Sequence, residues 1–362
     1  MHQSTQISAT HRADIAEPWS GQLQIWLYSV AALIFILVLV GGITRLTDSG
    51  LSITEWQPII GMLPPLNSDQ WVDAFQKYQQ IPEYKEINRG MDLAAFKTIY
   101  WWEWAHRFLG RLVGFAFMLP FLYFLLRGRI ASRYVPKMLL LFVLGGLQGG
   151  LGWYMVKSGL VDRVDVSQYR LAAHLGLAAL ILAAIVWIAR SLSPTPIASK
   201  AVADRRDVIF SGALSTLIFL QIILGALVAG MNAGLSHNTW PLMDGALIPS
   251  GLWALSPLHL NFFENALTVQ FDHRMLAYLL VILAVWHLVR VLRNYGEGQL
   301  VVYSASIVTL LLVQVGVGIG TLLLHVPIFL ASLHQGLGIL LFLFSVLQLQ
   351  VTIAHHRHRV LS

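Results

Sequence analysis

Four histidines recur among the apolar stretches of this sequence: His106 in EWAHR, His174 in AAHLG, His273 in DHR and His334 in LHQG. Neutral imidazole is a good iron ligand, and two imidazoles on opposite sides of a flat macrocycle bind a haem. The chain has no cysteine, so thiolate-bound zinc and iron–sulfur clusters are excluded, and its thirteen histidines are the only strong nitrogen ligands. The four histidines therefore predict two bis-histidine haem sites.

Other metal centres fit these residues less well. A di-iron carboxylate centre needs four glutamates and two histidines, and Glu103-x-x-His106 is the only pair with the required spacing. Zinc needs three or four converging ligands, whereas each half of the chain offers two. A single histidine could equally make one interhelical hydrogen bond. That alternative stays open for each histidine alone, but it explains poorly two facing pairs in both halves.

The elements that must position these histidines are membrane-spanning helices. The chain has 362 residues, of which 56% are hydrophobic and 12% charged, whereas soluble domains carry about 25% charged residues. A spanning helix needs about 20 mostly apolar residues. Eight stretches satisfy this length: 23–43, 104–126, 136–156, 171–190, 209–230, 274–293, 300–323 and 331–354. The expected fold class is an all-α integral membrane protein.

Lysine and arginine set the expected orientation. They follow the even-numbered spans: Arg127, Arg129, Arg133 and Lys137; Lys200, Arg205 and Arg206; Arg290 and Arg293; Arg357 and Arg359. The stretch 231–272 contains neither residue. The positive-inside rule then places both termini in the cytoplasm. The expected location is the cell inner membrane. The same rule also explains the net charge of +6 without a nucleic-acid partner. The polar residues 1–22 lack a signal-peptide cleavage pattern.

The chain repeats itself. GGITRLTDSGLSITEW, starting at Gly41, aligns with GALVAGMNAGLSHNTW, starting at Gly225, and the histidines, the Arg107/Arg274 pair and the Gln148/Gln314 pair follow in order. Two tandem four-helix bundles related by an axis along the membrane normal are therefore expected. The predicted divisions are a tail 1–22, a bundle 23–190 with outer loop 44–102, a linker 191–208, a bundle 209–354 with outer loop 231–272, and a tail 355–362.

The four histidines are expected at helix N-termini near the outer face, where the helix dipole favours anions such as haem propionates. Four arginines are candidate propionate partners: Arg107, Arg274, Arg111 and Arg170. Glu103 precedes His106 by three residues, and Gln270 stands at the same place before His273, which predicts unequal roles for the halves. Glu103 could instead only pair with Arg107 or Arg45. Gln148 and Gln314 are interpreted as interhelical contacts.

Over nearly its whole length the chain resembles haem A synthase, the membrane enzyme that oxidises the C8 methyl group of haem O to the formyl group of haem A. The resemblance is carried by the eight spans, the tandem bundles, EWAHR, AAHLG, DHR and LHQG. The long first loop with TEWQPIIGMLPP is similar to the mitochondrial and alphaproteobacterial type. Some bacterial members carry a cysteine pair in the outer loops, and a thiol relay of that kind cannot operate here.

The resemblance implies that His106 and His174 flank the substrate haem O, with Glu103 as the catalytic acid, and that His273 and His334 ligate a haem b that relays electrons. It also implies successive hydroxylations, haem O supplied by the farnesyltransferase that makes it, and haem A passed to a terminal oxidase or its assembly factors. The residues alone also allow a quinol-linked di-haem b electron carrier, or a transporter with structural histidines. They leave open the electron donor, the source of oxygen, homo-oligomer formation and any role for His237, His259 and His325.

Overall fold

The computed structural model of the protein describes residues 19–56, 60–162, 164–192 and 203–361. Within these ranges eight helices are long and apolar enough to cross a membrane. They are α1 (Ser20–Leu46), α4 (Leu93–Leu126), α5 (Val135–Asp162), α6 (Gln168–Ser191), α7 (Arg205–Gly230), α9 (Ala266–Tyr295), α10 (Gln299–Leu323) and α11 (Ile328–Leu361). The predicted class of an all-α integral membrane protein is confirmed.

The two long loops hold short ordered helices, as the sequence predicts. These are α2 (Ser68–Tyr78) and α3 (Pro82–Glu86) in the first loop and α8 (Asn261–Glu264) in the second. The loops are shorter than expected, at 47–92 and 231–265, because α4 and α9 begin well before the apolar runs. Asp92 caps α4 by accepting from the Ala95 amide at 2.7 Å, and Asn265 caps α9 in the same way.

Several sequence-based expectations concern residues outside the described ranges. They include positions 1–18 of the expected N-terminal tail, positions 193–202 of the linker with Lys200, and the side chains of Arg357 and Arg359. At the other end, α11 continues beyond the expected end of the span at position 354 to Leu361. The division into two bundles at the predicted bounds stays a prediction.

In each half, four long helices pack in a closed ring that follows the order of the chain. In the first half α1 contacts α4, α4 contacts α5, α5 contacts α6, and α6 returns to α1. In the second half α7, α9, α10 and α11 make the same circuit. The halves meet through α6 with α7, α11 with α1, and α6 with α11. A twofold axis that relates the halves would exchange the α6–α7 contact with the α1–α11 contact. The presence of both contacts is compatible with the predicted axis.

A partly buried arginine joins the two halves at the end that carries the long loops, called here the loop end. Arg45 of α1 contacts Asp48 at 3.0 Å and Asp165 at 3.5 Å within the first half. The same guanidinium donates to the Asn232 side chain of the second half at 3.0 Å. Asn232 in turn donates to Asp165 at 3.1 Å. The Arg45 side chain is 14% exposed, whereas Asp48 and Asp165 are 67% and 40% exposed, so the network joins the halves at a surface that water reaches.

Candidate haem sites

The four predicted ligands lie on the four helices that descend from the loop end. His106 is on α4, His174 on α6, His273 on α9 and His334 on α11. The expectation that they sit at helix N-termini is wrong. His106 is the fourteenth residue of its helix, and the others are the seventh or eighth of theirs. The helix dipole acts within the first turn, so it does not reach these side chains.

The second pair of histidines has the spacing of two ligands on one metal. The ring centroids of His273 and His334 are 6.3 Å apart, and the ring planes meet at 71°. Two metal–imidazole bonds of about 2 Å would place facing ring centroids roughly 6 Å apart. The residues therefore fit a bis-histidine haem. His106 and His174 are likewise neighbours, within electrostatic range of each other.

Each histidine packs against a glycine of the preceding long helix in its half. A Cβ atom added to the glycine would approach the histidine Cε1 atom to between 2.7 and 3.2 Å in all four cases. The pairs are Gly41 with His106, Gly152 with His174, Gly225 with His273, and Gly318 with His334. Carbon atoms prefer separations of about 3.5–4.0 Å. Any side chain here would displace a ring, so these glycines define where the four imidazoles can lie.

A glutamine one helical turn before the glycine holds three of the four histidines. Gln148, Gln221 and Gln314 each donate from Nε2 to the main-chain oxygen of their histidine, at 2.8–2.9 Å. The Gln148 and Gln221 amides also lie 3.1 Å from the ring Nδ1 atoms. The interpretation of Gln148 and Gln314 as interhelical contacts is confirmed, and the structure places those contacts on the ligands. Gln221 was not predicted.

The fourth histidine lacks such an amide. The position that corresponds to Gln221 in the first half is Leu37, one turn before Gly41 on α1. The Nδ1 atoms of His106 and His334 are both buried without a side-chain partner among the described residues, and the main chain of Leu37 interacts with the His106 ring. A ligating histidine is normally oriented by a bond to its second ring nitrogen. His106 is therefore positioned by packing against Gly41 and not by a side-chain amide.

Glu103 is almost completely buried, with 2% of its surface exposed, and donors surround both carboxylate oxygens. Oε1 accepts from Arg107 Nη2 at 2.6 Å and from Arg107 Nε at 3.0 Å. Oε2 accepts from the Ser52 hydroxyl and from the Ile53 amide, both at 2.7 Å. The expected pairing with Arg107 is present, and the loop after α1 supplies the other two donors. Arg45 pairs elsewhere.

Gln270 occupies the equivalent position in the second half. There the loop offers hydrogen-bond acceptors, whereas the loop around Glu103 offers donors. The Gln270 Nε2 atom donates to the carbonyls of Ala233 and Ser236 at 2.7 and 2.8 Å. Its Oε1 accepts from Arg274 Nη2 at 2.9 Å. Ser236 is the counterpart of Ser52, so the same stretch of loop presents donors to a carboxylate in one half and acceptors to an amide in the other.

Arg107 and Arg274 make equivalent contacts in the two halves. Besides Glu103, Arg107 donates to the carbonyls of Ile53 and Glu55. Arg274 donates in the same way to the carbonyls of His237 and Thr239. Both arginines therefore fasten a loop to its helix.

The two other arginines lie near the same end. Arg170 contacts the Ser158 hydroxyl, and its guanidinium lies 4.5 Å from the Tyr154 ring centroid. Arg111 lies one turn beyond Arg107 on α4.

The three loop histidines lie at the loop end, outside the ligand pairs. His237 pairs with Asp244 through Nδ1 and has a left-handed backbone, with φ of 53°. His259 and His325 are exposed. Among the described residues, no three His, Asp or Glu side chains converge as a multi-ligand metal site would require.

Comparison with known proteins agrees with this architecture. The family model described as cytochrome oxidase assembly protein, COX15-CtaA, matches residues 24–346. The chain is 52% identical over 320 residues to the heme A synthase of Mesorhizobium japonicum, covering 88% of this chain and 87% of that protein. It is also 52% identical over 324 residues to the heme A synthases of Parvibaculum lavamentivorans, covering 88% of this chain and 90% of that protein, and Agrobacterium fabrum, covering 90% and 88%. The chain belongs to the COX15-CtaA family of cytochrome oxidase assembly proteins.

Proposed function

We propose that this protein is a haem A synthase, which oxidises the C8 methyl group of haem O to a formyl group through successive hydroxylations. The observation that carries the proposal is the unequal pair of sites: a buried, four-fold hydrogen-bonded Glu103 beside His106, and a neutral Gln270 in the same frame beside His273. The relatives named heme A synthase support it, because the matches cover nine-tenths of both chains. In this proposal His106 and His174 hold the substrate haem.

Glu103 supplies a fixed negative charge next to the substrate site. The carboxylate accepts four hydrogen bonds from three residues, Ser52, Ile53 and Arg107, and these bonds hold it in one orientation. A preorganised charge stabilises a positive charge that develops on the methyl carbon as it is oxidised. This geometry favours an electrostatic role for Glu103 over the role of a mobile proton carrier.

The second half positions a haem b in the same proposal. His273 and His334 would hold it, and Gln221 and Gln314 would orient the two ligands. When bound, this group supplies one-electron transfer to and from the substrate site. Gln270 then suits its place because an amide holds the loop without adding a charge beside the electron carrier.

The charge distribution supports a location in the cell inner membrane, with both termini in the cytoplasm and the histidine pairs near the periplasmic side. Arg107, Arg274, Arg111 and Arg170 are the proposed partners of the haem propionates, because each lies within two helical turns of a histidine ligand. The proposed partners are membrane lipid, the farnesyltransferase that supplies haem O, an electron donor, and a terminal oxidase or its assembly factors that receive haem A.

The test is to extract the porphyrins from the purified protein and from two double variants. His106→Ala with His174→Ala should lose haem O and haem A and keep haem b. His273→Ala with His334→Ala should lose haem b. The Glu103→Ala protein should bind both haems and convert haem O slowly, since its ligands are intact. Full conversion by Glu103→Ala would remove Glu103 from the reaction.

A quinol-linked di-haem b electron carrier is the second candidate, because the paired histidines alone suit it equally. The carrier would hold haem b in the first half, whereas the synthase would hold haem O or haem A there. Two equal copies of haem b in the wild-type protein, with no farnesylated haem, would favour the carrier. A protein that binds no haem when haem is supplied would exclude both candidates and leave a transporter.

A further inference from the structure

The two halves differ most in the core of the end opposite the long loops, called here the far end. At matching positions the first half is apolar and the second is polar, and all the residues concerned are buried. Three such pairs are Met138 with Ser304, Ile185 with Ser345, and Ile188 with Gln348. Polar groups inside a membrane bundle are costly and usually have a function. The second half therefore has a polar core below its histidine pair that the first half lacks.

His287 is the titratable group at the centre of this core, at the position where the first half has Pro120. It is 2% exposed, and the Phe210 ring stacks on it at 4.7 Å. Its Nε2 accepts from Gln348 Nε2 at 2.9 Å, and Gln348 also donates to the Ser304 hydroxyl at 2.6 Å. The His287 Nδ1 and Gln348 Oε1 atoms are buried without hydrogen-bond partners among the described atoms. The imidazole thus has unused capacity for hydrogen bonding.

Titratable side chains connect this imidazole with the far-end surface. Asp207 of α7 and Arg290 of α9 are the charged neighbours of His287, while α10 and α11 contribute the neutral Ser304 and Gln348. Asp207 accepts from Arg290 Nε at 3.0 Å and from the Tyr295 hydroxyl.

Arg290 also contacts Asp204, whose side chain is 38% exposed. Asp204 is thus accessible to the far-end aqueous phase, and Asp207 is the buried carboxylate that interacts electrostatically with His287.

We propose that His287 is a redox-linked proton site, which binds a proton from the far-end aqueous phase when a haem at His273 and His334 gains an electron. The inference rests on the proposed function, because it needs that haem. His287 follows His273 by fourteen residues on one helix, so the two lie about 21 Å apart along the axis. An electron in a region of low dielectric constant attracts a compensating positive charge.

The exchange balances in charge and in atoms. A quinol would give one electron to a haem held by His273 and His334 and release one proton as it becomes a semiquinone. Hydronium at the far end would give one proton to the imidazole, which would become an imidazolium and leave water. Rotation of the Gln348 amide by a half turn presents Oε1, now unpartnered, to an imidazolium N–H. Reoxidation releases the electron to the first half and the proton to the far end.

The experiment measures the midpoint potential of the haem b against pH by optical redox titration of the purified holoprotein. Coulomb's law over about 21 Å at an effective dielectric constant of about 20 gives a roughly fourfold change in the reduction equilibrium, which corresponds to about 36 mV. The wild-type potential should fall by this amount with rising pH, in addition to any contribution of the haem propionates. His287→Gln keeps a polar side chain beside Gln348 but binds no proton, so it should lose the increment.

Ser211→Ala is the matched control. Ser211 lies in the same polar core and contacts Thr352 at 3.3 Å, but it does not titrate. This variant should keep the wild-type pH dependence. An unchanged slope in His287→Gln, with or without a lower melting temperature, would show that the core only holds helices together and would overturn the inference. Failure of the proposed function is distinct, since it would appear as haem b retained by His273→Ala with His334→Ala.

Discussion

Replacing Gly318 by alanine should selectively weaken the second histidine pair. The added Cβ atom would lie 2.7 Å from Cε1 and 3.2 Å from Nδ1 of His334. Carbon atoms prefer about 3.5–4.0 Å, so the ring or the helix must move by roughly 1 Å. Overpacking of this size costs about 1–3 kcal/mol. If that cost falls on the haem-bound state, haem affinity should drop roughly 5- to 140-fold.

Gly316→Ala is the matched control on the same helix, because a Cβ at Gly316 would meet nothing within 4 Å. Alanine is also favoured over glycine in a helix by up to about 1 kcal/mol, so Gly316→Ala should be at least as stable as the wild type. The assay is haem titration of the two apoproteins, followed by the b-type optical spectrum. Equal haem affinity and equal spectra in Gly318→Ala and Gly316→Ala would refute the role given to the glycine.

The other predictions concern the carboxylate, the missing amide and the first loop. Glu103→Gln should unfold at a lower temperature and lose haem O conversion, because an amide N–H would face either Arg107 or the loop donors, at a cost of about 1–3 kcal/mol; wild-type stability and conversion would contradict this. Leu37→Gln should slow haem release from the first half, and Gln221→Leu should speed it from the second, as measured by transfer to apomyoglobin; unchanged rates in both would contradict it. Burial raises the pKa of Glu83 to about 8 from 4.5, so its carboxyl favours folding while protonated and this contribution is lost as pH rises from about 4.5 to 8. Melting temperatures across that range should therefore fall less in Glu83→Gln than in the wild type, and equal slopes would contradict the assignment.

The apolar runs predicted the eight spans because the length and composition of a span can be read from the sequence without knowledge of tertiary contacts. The starts of α4 and α9 were missed because a capped helix continues beyond the membrane, and the caps Asp92 and Asn265 are local signals outside the apolar runs. The same error placed the histidines at helix N-termini. Helix ends, and not the spans, were the weak part of the prediction.

Comparison of the two repeats identified the site residues that occur in both halves. It missed Gln221, which occurs in only one half. Gln148 and Gln314 align with each other, so the repeat indicated them. Gln221 aligns with Leu37, so the same comparison gave no signal. A search for glutamine one turn before a glycine that faces a histidine would have found all three glutamines. The spacing between Gln221 and Gly225 equals that between Gln148 and Gly152.

The partners of Glu103 could not be predicted from helical spacing, because two of them come from a loop fifty residues away along the chain. Arg107 lies one turn along the same helix, so its pairing was expected. Whether the loop offers N–H and O–H groups or carbonyls depends on its backbone conformation, which the amino-acid types at Ser52 and Ser236 do not reveal. Both loops have a serine there and yet differ in polarity.

In the proposed function the two sites have separate roles, and this difference in the loops accounts for them better than the two side chains alone. A carboxylate at the position of Gln270 would face the carbonyls of Ala233 and Ser236, and an amide at the position of Glu103 would face donors on both sides. Each half therefore stabilises only its own residue, since buried groups of like polarity repel and lose hydrogen bonds. Exchanging Glu103 and Gln270 should therefore not exchange the proposed functions of the two halves. The carboxylate beside the proposed substrate site is stabilised by the donors of the loop as well as by Arg107 of the helix.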